Sequence, residues 1–566
     1  MSPQISTAQA EGRGGSASSP QPRKPRCGPG HPMIARAGAR QRRDIPPALP
    51  EDAATQTVQE VAVPIQDEAG VTNGLNLLLV TLDQLRADVV FGALAGIVPT
   101  PALDRLRAEG VSFANCFTAA VPCGPSRASL LTGLYAFNHR GIRNGAPVAR
   151  HHATLATELR RLGREPLLFG YCDMAADPAE RDPRDPDLAT YELPARGFRE
   201  IVEMRFEAPL AWIGHLRRRG YDLPEPLPAR WFDLYRPMGE GLRAPAFYRA
   251  EDSDTAFLTD RTLEALEARR DGVWSAHLTY IRPHPPLVAP APWNRLAETA
   301  RIPAPVPAGA AHPFRDAWFS APSQFGLHWG FDGRCEALPP AATADLRAVY
   351  LGLVAEVDAH LGRILDWLDA TGQAGRTVLV LMADHGEMLG DQGYWGKDNV
   401  LAAAHHVPLV IRAPGAQAGR VVTDVVSTVD VTPTLLDLLG GVPPAAMDGT
   451  PLTPFLRGER PEDWRGVALT EIDLAEPGAP TRFQRAFTLP ETRCNAAILR
   501  DATHTLVHFN GGLPPLLFDR QADPAETRDF AETPEGRAHV ARLRAAMLDL
   551  RMERADRRLT GISASG

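Results

Sequence analysis

The sequence predicts an α/β protein: a doubly wound, mainly parallel sheet with helices on both faces, followed by a smaller C-terminal α+β subdomain. Three observations predict it. Short apolar runs such as Leu77–Leu82 and Thr377–Met382 have the pattern of strands buried on both faces. Helical stretches alternate with these runs over most of the chain. From about residue 456 the pattern changes to shorter strands and one closing helix near 534–555.

The elements follow in order. Residues 1–74 are rich in Gly, Ser, Pro and charge and read as a disordered leader, or as sequence upstream of a true start at Met33 or later. The main α/β domain spans 75–455 and the smaller subdomain 456–566. The strand Leu77–Leu82 ends at Asp83-Gln84. A helix over Pro101–Glu109 is closed by Gly110, and a strand is expected over Val111–Thr118. A helix opens at Cys123 and closes at Gly133; residues 154–162 read as helix and Pro166–Tyr171 as strand. Residues 172–270 are rich in Pro, Asp and Arg and are expected to form loops and short helices over the active face. A strand over Trp274–Tyr280 leads into Arg282-Pro283-His284-Pro285-Pro286, where prolines on both sides restrict the backbone around His284. The clearest helix is Ala344–Leu368, with Thr343 as its cap and Gly372 as its stop. The strand Thr377–Met382 delivers Asp384-His385. The strand Val407–Ile411 and the helix Thr432–Leu439 complete the unit.

Composition narrows the function. The chain has 566 residues, 44% hydrophobic and 23% charged, with net charge −8. That balance argues against a nucleic-acid partner. No stretch approaches ~18 apolar residues, so no membrane span is expected. The six cysteines have no paired spacing, and the N-terminus has no apolar signal core, which together read as a reducing, cytoplasmic setting. Among 60 basic residues only Lys24 and Lys397 are lysines. Lys397 therefore marks either chance retention or a site that needs a compact ammonium rather than a guanidinium.

Two constellations could carry chemistry. Cys123 lies at the start of a helical run, four residues before Arg127; a helix N-terminus and a fixed cation both favour negative charge there. Asp83 and Asp384 each follow directly on a strand, where α/β sheets bind ligands. Taken singly, each reads as a turn or cap residue. Taken together with Gln84 and His385 they form a shell for a divalent metal. The imidazole moves the choice toward Mn²⁺, with Ca²⁺ as the alternative.

Cys123-Gly-Pro-Ser-Arg127 with Leu131-Thr132-Gly133 resembles the signature of the sulfatase family within the alkaline phosphatase superfamily. The resemblance extends over residues 76–556, through Thr81-Leu82-Asp83-Gln84, Ala383-Asp384-His385-Gly386-Glu387, Asp430-Val-Thr-Pro-Thr434, Asp448-Gly449 and Leu517-Phe518-Asp519. Asn138-His139-Arg140, the Arg282–Pro286 segment and Ala555-Asp556-Arg557 resemble its bacterial arylsulfatase and phosphonate monoester hydrolase branch. The resemblance implies a sulfatase-like catalytic domain over 75–455. It implies hydrolysis of small-molecule sulfate, phosphonate or phosphate esters. It also implies one divalent metal and a formylglycine made from Cys123 by a transient formylglycine-generating enzyme that reads Cys123, Pro125 and Arg127. Arg127 is then expected to orient the nucleophile. Asn144 and Tyr171 would touch the substrate's non-bridging oxygens, and His284 and Lys397 would act as acid and cation. A homo-oligomer, a tetramer, is also implied. His139, His405 and His406 are expected to be structural. Asp173 departs from the branch, which has a small hydroxyl there; a carboxylate in that substrate-binding position opposes an anionic substrate. Two rivals stay open: a superfamily phosphotransferase using unmodified Cys123, and a non-catalytic metal- or anion-binding homologue.

Overall fold

In the computed structural model, the described residues are 74–205, 209–223, 234–323 and 325–556. The expected leader lies outside them, except for Gly74. The central sheet has eight strands. Their order is Arg420–Val422, Val111–Phe113, Leu409–Arg412, Thr377–Ala383, Asn76–Leu82, Ser275–Tyr280, Pro166–Gly170 and Arg199–Glu203. All neighbours pair parallel except Leu409–Arg412, which is antiparallel to both of its own. The three strands at the centre are buried at every position. This is why they read as continuous apolar runs rather than alternating ones; each buried Leu or Val contributes about 1.5–3 kcal/mol.

The long helix runs from Pro340 to Ala370, one turn longer at its start than the sequence predicts. Its N-cap is Pro339 rather than Thr343, because Pro340 suits the first helical position, where no N–H is needed, and so starts the helix a turn earlier. On this helix, Asp358 accepts hydrogen bonds from the N–H groups of Ala102 (3.1 Å) and Leu103 (2.7 Å). It thereby caps the Pro101–Glu109 helix, whose own Thr100 makes no side-chain cap.

Two expectations are corrected. The strand over Val111–Thr118 divides into Val111–Phe113, in the central sheet, and Cys116–Phe117, in a separate three-stranded sheet. The 172–270 stretch is more regular than its composition suggests. It supplies the edge strand Arg199–Glu203 and the 14-residue helix Asp254–Glu267, which is started by a Ser253 side-chain cap. That helix packs on the long one, so tertiary burial outweighs the loop-like composition around it.

A second sheet of five strands runs in the order Leu516–Asp519, His504–Phe509, Asn495–Arg500, Ala468–Asp473 and Ala120–Val121. Its last strand comes from the N-terminal half and stops one residue before the Cys123 helix. The closing helix is Pro534–Glu553. No helix among the described residues is long and apolar enough to cross a membrane.

Candidate active site

Sheet register builds the site. The strands ending at Leu82 and Ala383 are paired neighbours, with Leu82 opposite Ala383. Asp83 and Asp384 therefore leave the sheet side by side although they lie three hundred residues apart, and the N–H of Gln84 donates to Asp384 Oδ1 at 3.1 Å. Gln84 holds a left-handed φ of 70°, which turns the chain sharply at the strand end. Across from these strand ends, the Cys123–Thr132 helix presents its first residue. Cys123 Sγ lies 3.2 Å from His385 Nε2 and 4.0 Å from Asp83 Oδ1. One ligand atom each from Asp83, Cys123, Asp384 and His385 falls within 4.8 Å of the others, and all four residues are buried.

Arg127, one turn along the same helix, is almost completely buried and makes five hydrogen bonds. It donates to Asp384 Oδ2 (3.0 Å), Asp83 Oδ2 (3.2 Å), Thr279 Oγ1 (2.7 Å), and the hydroxyl (3.0 Å) and carbonyl (3.1 Å) of Tyr171. Tyr171 in turn donates its hydroxyl to Asp83 Oδ2 at 2.5 Å. A tyrosine expected at the substrate thus also fixes the orientation of a carboxylate. Burial alone would raise the Asp83 pKa, but His284, Lys397, His385 and Arg127 together hold it far below the usual carboxylate range. Burial, reinforced by Asp83, pushes the Cys123 thiol well up. Asn144 accepts from the N–H of Gly124 at 2.9 Å. A Cβ on Gly124 would stand 2.9 Å from that same amide oxygen, so any larger residue there would displace the Asn144 side chain.

The far wall is formed by His284 and Lys397. Lys397 Nζ donates to Gln84 Oε1 (2.9 Å) and is 2.7 Å from His284 Nε2. The Gln84 amide oxygen, expected on a metal, thus already accepts from the lysine and keeps one lone pair. Its NH₂ donates to Glu387. Asp173 lies with its Oδ2 3.7 Å from Arg127 Nε; burial lifts its pKa to about 7, against the pull of Arg127.

The sequence reading missed three supports. Glu387 accepts from the N–H groups of Leu389 (2.8 Å) and Gly396 (2.6 Å), closing the loop that ends at Lys397. Arg282 donates to the carbonyls of His284 (2.8 Å) and Pro286 (3.0 Å), fixing the proline-bounded loop from inside. Thr279 anchors Arg127 from the strand preceding that loop. Glu387 and Arg282 both lie inside motifs the sequence displays, but a buried partner has no local signature. His139 and His405 are buried and hydrogen-bonded away from the cluster, to Ser129 and to the carbonyl of Asn399. His406 is half-buried on Ala114.

The donor set fits a divalent cation: two carboxylates and an imidazole converge on position 123 from two segments, the ends of neighbouring strands. The sulfatase family profile matches residues 75–442, and the profile described as N-sulphoglucosamine sulphohydrolase, C-terminal, matches residues 390–553. The chain belongs to the sulfatase family. The multifunctional alkaline phosphatase superfamily protein PehA of Trinickia caryophylli is 36% identical over 87% of this chain and 98% of its own length. The phosphonate monoester hydrolase structure from Silicibacter pomeroyi is 46% identical, with a TM-score of 0.82 over 87% of this chain and 98% of that one. The one from Agrobacterium radiobacter is 36% identical, with a TM-score of 0.79 over 86% and 97%. A choline-sulfatase of Rhizobium meliloti is 26% identical over 83% of this chain and 85% of its own.

Proposed function

We propose that the chain hydrolyses phosphonate monoesters, phosphodiesters and sulfate monoesters at the cavity around position 123, with formylglycine made from Cys123 as nucleophile. The single observation that supports this most is the convergence of Asp83, Asp384 and His385 on the Cys123 side chain. The similarity to phosphonate monoester hydrolases supports the substrate class. Asp83, Asp384 and His385, with Gln84 through its second lone pair, would hold one divalent metal, Mn²⁺ in preference to Ca²⁺. When bound, the metal supplies positive charge beside position 123, and the aldehyde hydrate supplies a hydroxyl nucleophile whose ester breaks down without a second water.

The chain's own residues do the rest. Arg127 clamps Asp83 and Asp384 in one arrangement and carries a positive charge one helical turn from the nucleophile. Asn144 and Lys397 face the non-bridging oxygens of the substrate. Lys397 and His284 share a hydrogen bond, which orients the ammonium that donates a proton to the departing oxygen, with the imidazole as its partner. Tyr171 keeps Asp83 oriented. Asp173 disfavours dianions. The five cysteines among the described residues are free, which supports the reducing cytoplasm as its setting. We assign the working form to a homotetramer, on the family resemblance, and the maturation step to a formylglycine-generating enzyme.

The test combines mass analysis with kinetics on protein co-produced with that enzyme. The Cys123 peptide is expected about 18 Da lighter than its thiol form. Matched aryl sulfate, phosphonate and phosphodiester substrates are expected to turn over in the parent protein, and Cys123→Ala to abolish turnover with the fold intact. Full activity with an alkylatable thiol at 123 would support the phosphotransferase instead. Modified, metal-loaded protein inert on all three esters would leave the binding homologue.

A further inference from the structure

The space at the reaction centre divides in two. One cavity, of about 790 Å³, holds Cys123, Asp173 and His284 and is walled by Phe325, Trp329 and Phe331. The other, of about 660 Å³, runs from Pro122 past Arg143 to Arg482 and Arg485. Asn144, Ser323, Phe325 and Lys397 line both. A tetrahedral centre held between Cys123 and Lys397 therefore opens on two chambers.

A sulfate monoester has one organic substituent; its other oxygens need donors, not room. Two chambers of similar size suit a tetrahedral centre that bears two organic groups. The departing group belongs in the first chamber, because there alone Lys397 and its hydrogen-bonded partner His284 line the space together; His284 is absent from the lining of the second. The second chamber must then receive the group that stays on phosphorus.

The lining of the second chamber says what that group is. Arg143 donates to the carbonyl of Ala475 at 3.1 Å, and Arg482 donates to those of Trp318, Ala321 (2.8 Å) and Pro322 (2.9 Å). These guanidiniums are held by neutral acceptors and share the lining with Asp398, Asp473 and Glu476, close enough that Arg143 acts on Glu476 and Asp398 on Arg482. Trp318, Phe483 and Leu474 add apolar faces to the same lining. Closely spaced cations and carboxylates do not select a charged ligand. They do suit hydroxyls, each of which donates to a carboxylate and accepts from a guanidinium.

We propose that the second chamber binds a polyhydroxylated substituent, glyceryl- or sugar-like, and that the preferred substrate is a phosphodiester carrying it. This rests on the hydrolase reading above. The experiment uses metal-loaded, fully modified enzyme and two diesters with one leaving group: methyl 4-nitrophenyl phosphate and glyceryl 4-nitrophenyl phosphate. The ratio of their kcat/KM values (glyceryl over methyl) is compared between the parent protein, Ala479→Trp, which fills the chamber from an exposed position, and Arg485→Ala, which removes an exposed donor. The ratio is expected to exceed one in the parent and to fall about tenfold in Ala479→Trp, with a smaller fall in Arg485→Ala. A parent that does not favour the glyceryl ester, or a ratio within twofold in both variants while the methyl ester is still turned over, would overturn the chamber assignment alone. A parent that turns over neither ester would overturn the hydrolase reading and this one with it.

Discussion

Lys397 Nζ lies 2.7 Å from His284 Nε2, while His284 Nδ1 is turned onto the carbonyl of Pro285 at 2.5 Å. The carbonyl can only accept, so Nδ1 carries the ring proton and Nε2 accepts from the ammonium. On this wall of the cavity the mobile proton thus sits on the lysine, with the imidazole as its partner. The pair joins loops 113 residues apart, one fixed by Arg282 and the other by Glu387.

Lys397→Arg keeps the charge and is expected to lose about 100-fold in kcat. A planar fork cannot reach His284 Nε2 and Gln84 Oε1 in the geometry of a compact rotatable donor. Steady-state kinetics on an aryl phosphonate checks it; a rate within threefold of the parent would return Lys397 to chance retention.

Metal removal is expected to lower both activity and thermal stability. Without a cation, Asp83 and Asp384 face each other across a buried space with Arg127 and Lys397 as nearby positive charges. A metal at a hundred times its Kd stabilises by about 2.7 kcal/mol, enough to move a melting temperature measurably. Scanning calorimetry before and after chelation, with Mn²⁺ and Ca²⁺ added back separately, checks this. Mn²⁺ is expected to restore more, and an unmoved melting temperature counts against the site.

Asp173→Thr is expected to favour dianionic phosphate monoesters relative to monoanionic esters by about tenfold or more. Because burial lifts Asp173 to about 7, the comparison is made at pH 8.5, where it is ionised; taking a spacing of about 7 Å and an effective dielectric near 20, one carboxylate then opposes each added substrate charge by about 2 kcal/mol. The ratio of kcat/KM for the two substrate classes reads it directly, and an unchanged ratio means the carboxylate acts on Arg127 alone.

Glu356→Gln is expected to flatten the pH dependence of stability. Burial, with Asp254 nearby, lifts Glu356 to about 8 from its ordinary 4.5. Between those values the folded state keeps a proton that the unfolded chain has released. Stability therefore falls as pH rises through this window, by up to about 1.4 kcal/mol per pH unit. The variant lacks that loss. Denaturant unfolding from pH 5 to 8.5 is expected to show it gaining on the parent steadily toward pH 8; a constant difference would mean Glu356 ionises normally.

Much of the site is legible in the chain because its signals are local. Asp83 and Asp384 each end an apolar run, Cys123 and Arg127 are one helical turn apart, and Lys397 stands out against a background of arginine. The long helix is legible for the same reason, down to its apolar face. The helix Asp254–Glu267 and the edge strand Arg199–Glu203 are not, since proline and charge around them mask short elements that burial against neighbours stabilises. Glu387, Arg282 and the second role of Tyr171 are equally silent. Each is a contact to a partner far away in sequence or to a backbone carbonyl, and neither leaves a pattern in residue types.

The sequence by itself determined the family, the parallel sheet and the residue types that meet at position 123. Only the tertiary structure decided that the strands ending at Leu82 and Ala383 are neighbours in register, and that a strand at Ala120–Val121 joins the C-terminal sheet just ahead of the Cys123 helix. It also decided that two cavities meet at Asn144, Ser323, Phe325 and Lys397. The physical reason is range. Periodicity and capping act over a few residues, whereas strand order and cavity shape are set by packing between segments hundreds of residues apart.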